Sequence, residues 1–587
     1  MANSFGSLHI GVAGLQSSQN ALNITSNNLA NVDTTGYVRQ RVIYADRDYL
    51  NFNTTASISY QQSGLGVKIG DVIHTRDIFL DRSYRTESGR QAFYAATYEA
   101  TQEVETLYQE LEGQAFQDAV EDFWTAFQEF AKAPDDSIYQ NLVVQKAQLF
   151  LSRGNAVYSG LQSYQYNINT QISDDIDRIN ELGKTIYDLN LEIMKVESGG
   201  VETAMTLRDE RDLALDELAS YVEITYHETT DGQVKVELEG VPFVDEARCY
   251  EMGKKYDKVN GFITAYWPHL SDTDRDNYTN VFDFNTDISK DNKNDMGELK
   301  ALILARGDYL ANYTNIEGMD ADTYNDTTGM SVMLSAEAQL DQMIHGIVTA
   351  INDLYCPNVT AGDYASANGN TLTFPLTVYD EYGNELTGMT INANTKILDA
   401  ANCAVGSDGE LPPRELFTRS GTERYTKVYD ANGNEYYVYN EEDPDDTTKQ
   451  YTLQSLSVNE ELVSLETLMP HLMQNGNVDI PLGEALVAIW DKELLTLDPN
   501  DTSKCTFKEY YQNMTDGIAT KGNVYSSTSE ALTATVLSVD NQRQQTIGVS
   551  SDEELTYMIK YQNAYNASSR FINVINEMIE TLLTQVG

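Results

Sequence analysis

The sequence predicts a multidomain α+β chain, with a long α-helical coiled-coil or bundle stalk formed by the N- and C-terminal segments and one or more β-rich outer domains inserted in the middle. Three observations predict it. The 587 residues exceed what one hydrophobic core usually spans. Apolar residues recur at steps of three and four near both ends and again after Ile138, the period of a helix face that needs a partner. Between roughly 357 and 455 the composition shifts to Tyr, Thr and Val punctuated by Gly and Asn, the pattern of strands and turns.

Composition narrows the function classes. A hydrophobic fraction of 41% and an aromatic fraction of 10% suffice for packed cores. Lysine and arginine total 39 against 90 aspartates and glutamates, a formal net charge of -51. Nucleic-acid binding needs basic side chains against phosphate, and an anionic membrane repels a polyanion, so neither nucleic acid nor membrane is an expected partner. The acidity itself serves solubility. Cys249, Cys356, Cys403 and Cys505 form no CxxC pair, so neither a zinc site nor a disulfide framework is expected. The start, MANSFGSLHIGVAGLQSSQN, has no basic n-region, no continuous apolar h-region and no run long enough to cross a bilayer.

At the N-terminus Phe5, Leu8, Val12, Leu15, Gln19, Leu22, Ser26 and Leu29 share one helical face, and six of the eight are apolar. A lone helix of this length is marginal in water. The long stripe of Ile168, Ile172, Ile179, Leu182, Ile186, Leu189, Ile193 and Val196, broken by Asp175, predicts a helix from about Ile138 to Glu197 that stops at Ser198-Gly199-Gly200. After it the period changes from helical to alternating around Asp231-Gly232, which predicts a helix followed by a β-hairpin. Within that helix Arg208, Asp209, Arg211 and Asp212 read as a solvated face of i,i+3 and i,i+4 pairs.

In the middle, Val378-Tyr379-Asp380 with Gly383-Asn384-Glu385 recurs as Val428-Tyr429-Asp430 with Gly433-Asn434-Glu435, predicting two similar hairpins. At the C-terminus Met558, Tyr561, Tyr565, Ser568, Ile572, Ile575, Ile579 and Leu582 repeat the steps of the first helix, with seven of the eight apolar or aromatic. Two such helices most simply bury each other's stripes and bring the chain ends together. The expected partition is an N-terminal helix and extended β segment at 1–85, a long-helix bundle at 86–220 and a β-hairpin region with an insertion at 221–295. A helical segment at 296–356, a β-rich outer domain at 357–500 and C-terminal helices at 501–587 pairing with the N-terminal segment complete it.

Signatures of chemistry are missing: there is no HExxH, GxSxG, Walker loop or GxGxxG following a strand, so no enzyme is expected. Asp430, Asn432, Asn434 and Glu441 match ligand positions of a calcium loop, but its turning glycine is Glu435, and a hairpin turn is expected instead. Asp272, Asp274 and Asp276 lack that glycine too. The histidines His9, His74, His227, His269, His345 and His471 read as ordinary surface or core residues. No catalytic residue, cofactor or metal is assigned.

Two segments carry a resemblance. ALNITSNNLANVDTTGYVRQR, from Ala21 to Arg41, resembles the N-terminal signature of the flagellar rod, hook and hook-associated proteins, through Asn27-Asn28-Leu29-Ala30-Asn31-Val32 and Thr35-Gly36-Tyr37. GVSSDEELTYMIKYQNAYNASSRFINVINEMIETLL resembles the matching C-terminal signature. The long internal helix, LRDERD, GELKALILARGDYL from Gly297, LDQMIHGIVTAINDLY from Leu340, ELFTRSGTERY and YTLQSLSVNEEL are similar to the hook-associated branch. The likeness spans most of the chain outside roughly 245–295 and 357–410.

The resemblance implies a secreted, extracellular structural adaptor at the hook-filament junction. Its implied partners are copies of itself in a ring or tube, the hook protein, the next hook-associated protein towards the filament, an export chaperone and the type III export apparatus. Another axial role, as filament, hook or rod subunit, or an adhesin or enzyme in the β-rich insert, are the alternatives. The implied assembly interface is Phe5, Leu8, Val12, Leu15, Leu22, Leu29, Asn28, Gly36 and Tyr37 with Met558, Tyr561, Tyr565, Ile572, Ile575, Ile579 and Leu582.

Overall fold

Helix α1, Ala2–Ala30, runs through the predicted N-terminal stripe and ends where Asn31 to Gly36 supply turn-forming residues. Strand β1 (Gln40–Asp46) and strand β4 (Val67–His74) form an antiparallel ribbon bulged between Ile43 and Tyr44, prolonged by the short pair β2 (Leu50–Asn51) and β3 (Gln62–Ser63). The computed structural model describes residues 2–47, 49–51, 62–109, 116–199, 203–286, 288–367 and 373–586.

The body begins with α2 (Ile78–Gln109), α3 (Phe116–Phe130) and α4 (Ser137–Glu197). The 61 residues of α4 span about 90 Å at the helical rise. Its N-cap is Asp136, whose side chain accepts from the Ile138 N–H, and its C-cap is Ser198. Ile168, Ile172, Ile176, Ile179, Leu182, Ile186, Leu189 and Ile193 are buried along one side. Ile176 fills the place that the sequence left to Asp175, and Val196 is exposed. Each such side chain contributes about 1.5–3 kcal/mol on burial, which makes α4 the spine of the molecule.

Helix α5 (Met205–Tyr221) leads into the sheet β5-β6-β7 (Ile224–Glu228, Val234–Leu238, Val241–Val244), whose first hairpin turns at Gly232, and β8 (Gly253–Tyr256) pairs with β9 (Ile263–Tyr266). Then come α6 (Glu298–Arg306), α7 (Ala321–Asp326) and α8 (Val332–Tyr355). Helix α8 is buried on nearly every side, so its polar residues carry partners: Asp341 accepts from the Leu453 N–H at 2.7 Å and the Tyr313 N–H at 3.0 Å.

Beyond the short α9 (Ala361–Ala367) lies a six-stranded sheet in the order β10-β13-β16-β15-β11-β12. Its strands are Asn358–Thr360, Leu376–Tyr379, Glu385–Ile391, Lys396–Leu398, Tyr425–Tyr429 and Glu435–Tyr439, numbered β10 to β13, β15 and β16; β14 (Phe417–Arg419) pairs outside it with β17 (Leu456–Val458). The echoed segments are hairpins β11-β12 and β15-β16. In each, the leading aspartate accepts the N–H groups two and four residues on, at 2.8–2.9 Å, so Asp430 closes a turn rather than a calcium loop. The hairpins pair antiparallel at Tyr379 and Tyr429, the equivalent residues of the echo, which gives the sheet a local two-fold relation.

Helices α10 (Glu460–Ser464) and α11 (Ile480–Ala488) precede α12 (Phe507–Ile547) and α13 (Ser551–Val586). Thr506 and Glu509 form a capping box at the start of α12. Helix α12 runs antiparallel to α2, with Tyr511 donating to the Tyr108 carbonyl at 3.0 Å and Arg543 beside Asp81 at 2.6 Å. The main core joins α2 to α6, α8 and α12 with the segment around Tyr451, Leu453, Leu462, Met469, Leu486 and Trp490. Those residues belong to the helical body rather than to the expected outer domain at 357–500, because Phe123, Phe150, Phe417 and Trp490 share one aromatic cluster. Likewise, of the C-terminal helices expected to pair with the N-terminal segment, α13 packs along α1, while α12 packs along α2 and meets that segment at Asp81 and at Arg39, whose N–H donates to the Ile547 carbonyl at 2.9 Å. No helix among the described residues is long and apolar enough to cross a membrane.

Candidate assembly interface

Helices α1 and α13 lie antiparallel. A Cβ on Gly11 would meet Ile572 Cγ1 at 2.7 Å, one on Gly14 would meet Ser568 Oγ at 2.8 Å, and Asn28 bonds Glu554 at 3.1 Å. The face of α1 turned to α13 is therefore Gly11, Gly14, Ser18, Ala21, Thr25 and Asn28, small or polar residues at steps of three and four. This corrects the expectation that the two apolar stripes bury each other. Closely approaching helices need small residues on one side, and α1 supplies them beside its apolar stripe rather than on it.

The placement of the expected residues follows from that geometry. Leu8, Leu15, Leu22 and Leu29 are half-buried on α1, and Val12 is exposed at 38%. The Phe5 side chain lies outside the described residues. On α13 the stripe Met558, Tyr561, Tyr565, Ile572, Ile575 and Ile579 is the more covered side, with Ile572 against Gly11 of α1, Tyr561 edge-on to Tyr44 of β1 and Ile575 at 8% exposure, while Leu582 is exposed. A second apolar row, Phe571, Val574 and Met578, flanks the first: Phe571 touches Gly11 of α1 with one edge, Val574 and Met578 are exposed, Met578 at 61%, and Leu583 is exposed on another side of the helix. Ile10 and Ile559 add to the uncovered apolar surface of the pair. Sequence periodicity missed this row because the first stripe already accounted for the helix.

A polar knot closes the base of the hairpin. Asn28 is 1% exposed and satisfied on every side. Its Nδ2 donates to the Gln40 carbonyl at 2.9 Å and to Glu554, and its Oδ1 accepts from Tyr37 Oη at 2.8 Å and from the Gln40 N–H at 3.1 Å. Arg39 holds Glu554 at 2.8 Å and Glu553 at 2.8 Å. Gly36, at φ +79°, makes the turn that returns the chain into the knot, and its Cα side abuts Leu213 of α5. Burial, with Asp209 and Glu554 nearby, pushes the Tyr37 hydroxyl up to about 12, so it remains a donor.

The joint to the body overturns another expectation. Asp209 and Arg211 are buried, not solvated. Asp209 accepts from the Val38 N–H at 3.1 Å and stands 3.3 Å from His74 Nδ1, so His74 is paired rather than ordinary; His345 likewise lies 3.1 Å from Glu442. Arg76 pairs with Asp212, Arg85 with Asp216 at 2.7 Å, and Arg543 with Asp216 at 2.6 Å. Burial raises Asp209 to about 7 against the pull of the Val38 N–H, and burial lowers His74 to about 4 with Arg76 reinforcing it. Helix periodicity recorded the charges of LRDERD but not that Val38, His74 and Arg76 converge on Asp209 and that Arg85 of α2 reaches Asp212. Among the described residues no group of three or more His, Cys, Asp or Glu is arranged to hold a metal ion.

Comparison with known proteins follows this division. Residues 101–365 match the family model described as the helical domain of flagellar hook-associated protein FlgK. Residues 8–37 match the flagella basal body rod protein and 541–585 the C-terminal region of the flagellar basal body rod FlgEFG proteins. Flagellar hook-associated protein 1 of Bacillus subtilis (strain 168) is 23% identical over 605 residues, covering 100% of this chain and 99% of that protein. Over its full length the chain is thus similar to flagellar hook-associated protein 1. The Escherichia coli (strain K12) member is 22% identical over 592 residues, with 97% of this chain and 98% of that protein covered. A solved structure, the flagellar hook junction protein FlgK from Burkholderia pseudomallei, covers 79% of this chain and 99% of its own at 13% identity and a TM-score of 0.45. The rod-type matches fall on α1 with its knot and on the end of α12 with α13, while the match to the hook-associated helical domain falls on the body. The chain is thus a structural component of the flagellum.

Proposed function

We propose that the chain is a structural adaptor that assembles on the distal end of the hook and joins it to the filament. The observation that carries this reading is the exposed apolar flank of α13, Val574 and Met578 with the outer side of Phe571, whose inner edge alone meets Gly11 of α1. Exposed apolar rows of this kind mark surfaces that a neighbour covers. Neighbouring copies bury the row in a ring or tube, the hook protein meets one end, and the next hook-associated protein meets the other. The work is burial of surface rather than bond-making, at about 1.5–3 kcal/mol for each side chain covered.

The same exposed row requires cover before assembly, which fits an export chaperone on the ends and passage through the type III export apparatus to the outside of the cell. The test uses Met578→Asp, because Met578 touches little of its own chain while Ile575 is part of the hairpin. A strain lacking the chain is expected to keep its hooks and shed filament protein into the medium. Complementation with Met578→Asp should give the same phenotype with the melting temperature of the body unchanged. Normal swimming by that strain overturns the reading.

A further inference from the structure

A cavity of about 590 Å³ opens where α2, the start of β5 and the loop ahead of α6 meet, and its wall is cationic in a chain of net charge -51. Arg85 and Arg90 are committed there: Arg85 to Asp216 at 2.7 Å, Arg90 to the fully buried Asp295 at 3.0 Å. Arg82, Lys290 and Lys293 have no carboxylate partner among the described residues, and Arg82 lies 5.9 Å from the Tyr226 ring. The frame beneath them is fixed. Gly297 donates to the Gly89 carbonyl at 2.9 Å, and a Cβ on Gly89 would meet the Ala219 carbonyl at 2.6 Å. Of the acidic residues on the wall, Asp295 and Glu87 are spent on Arg90, and burial holds Glu223 above the usual carboxylate range.

We propose that this groove is an interaction surface for a carboxylate-bearing surface segment of a second copy of this chain. Three converging cations fit an acidic segment, and charge-assisted hydrogen bonds from Arg and Lys are the strong kind. The second copy is favoured by symmetry and charge together. With 90 acidic against 39 basic residues, like faces of two copies repel, so a contact between them needs a basic patch on one meeting an acidic patch on the next. Such a heterologous contact is the type that generates rings and tubes. The inference rests on the proposed assembly of the chain at the hook, and the test distinguishes the two.

A photo-cross-linking residue in place of Lys290 is introduced into the full-length chain in cells, and isolated hooks are probed after irradiation. The expected product is an adduct of twice the chain mass whose partner peptide is rich in Asp and Glu. Adding Arg82→Glu and Lys293→Glu should remove that adduct and reduce retention of the chain on hooks, with the melting temperature of purified chain unchanged. Chain present on the hooks with no self-adduct, or with an adduct only to another axial protein, overturns the groove proposal alone. Chain absent from the hooks altogether overturns the assembly reading as well.

Discussion

Glu337 on α8 has no exposed surface, and its only strong interaction is the Ala311 N–H, which reaches Oε2 at 2.9 Å while Oε1 has no hydrogen-bond partner. Burial raises its carboxyl to about 8, with Asp341 adding to the rise. The sign follows directly. A carboxyl whose folded value exceeds its unfolded one binds a proton in the folded state that the unfolded chain has released, so its contribution is complete in acid and lost as pH rises through the folded value. Asp175, Asp209 and Glu415, each near 7, act in the same direction. Glu442, lowered to about 2 chiefly by its His345 hydrogen bond against burial, and His74 oppose them only on the acid side. The melting temperature of the body is therefore expected to fall from about pH 6 to about pH 8, with a linked loss on the order of a few kcal/mol. Glu337→Gln should flatten that slope, as measured by thermal denaturation across the range; an unchanged slope contradicts the protonated Glu337. None of this was legible in the sequence. Asp209 looked like part of a solvated helix face, and only the approach of Val38, His74 and Arg76 removes its water.

Elements were far more legible than their partners. The extent of α4 follows from local signals, a helical period broken only at Asp175 and a serine-glycine stop, and the structure runs from Ser137 to Glu197, with Asp136 as the N-cap that the period alone did not reveal. The hairpins at Asp380 and Asp430 follow from their turn residues in the same way. Helix α1 shows the limit of such signals, because its apolar stripe gave its period but not the face that meets α13. That face is set by backbone approach, and Gly11 reports how close it is. Gly11→Val would gain a few tenths of a kcal/mol in helix propensity but place a Cβ at 2.7 Å from Ile572 Cγ1 and 3.1 Å from Phe571 Cδ1. Overpacking of that kind costs about 1–3 kcal/mol and outweighs the gain. Hydrogen exchange along 551–586 should accelerate in this variant while the body is unaffected. Gly517→Ala, on α12 with nothing within 4 Å of the added carbon, should instead stabilise the protein by up to about 1 kcal/mol.

At the scale of the molecule, composition and length indicated several units, yet which segments share a core depends on long-range packing that period and propensity do not encode. The segment after β16 reads as an extension of the β-rich insert, but Tyr451, Leu453 and Trp490 enter the core of the helices. Helix α12 reads as the partner of the N-terminus, but Tyr511, Tyr525 and Arg543 tie it to α2. The consequence is a molecule of unequal firmness. The body shares one core from α2 to α12, whereas the α1-α13 hairpin has a narrow seam of small residues and exposed apolar rows. Local opening tracks the number of buried contacts that must be broken, and proteases cut what opens. Trypsin acting on the purified chain is therefore expected to cut first at Arg41, Arg47, Lys68, Lys560 or Arg570 and to leave a fragment from Ile69 to Lys560 with its melting transition intact. Arg85 and Arg543 should keep the two ends of that fragment joined through Asp216 and Asp81. Assembly onto the hook covers the hairpin, so the same sites should become resistant there. Equal resistance of the hairpin and the body in the free chain would mean that the seam is stronger than its small residues allow.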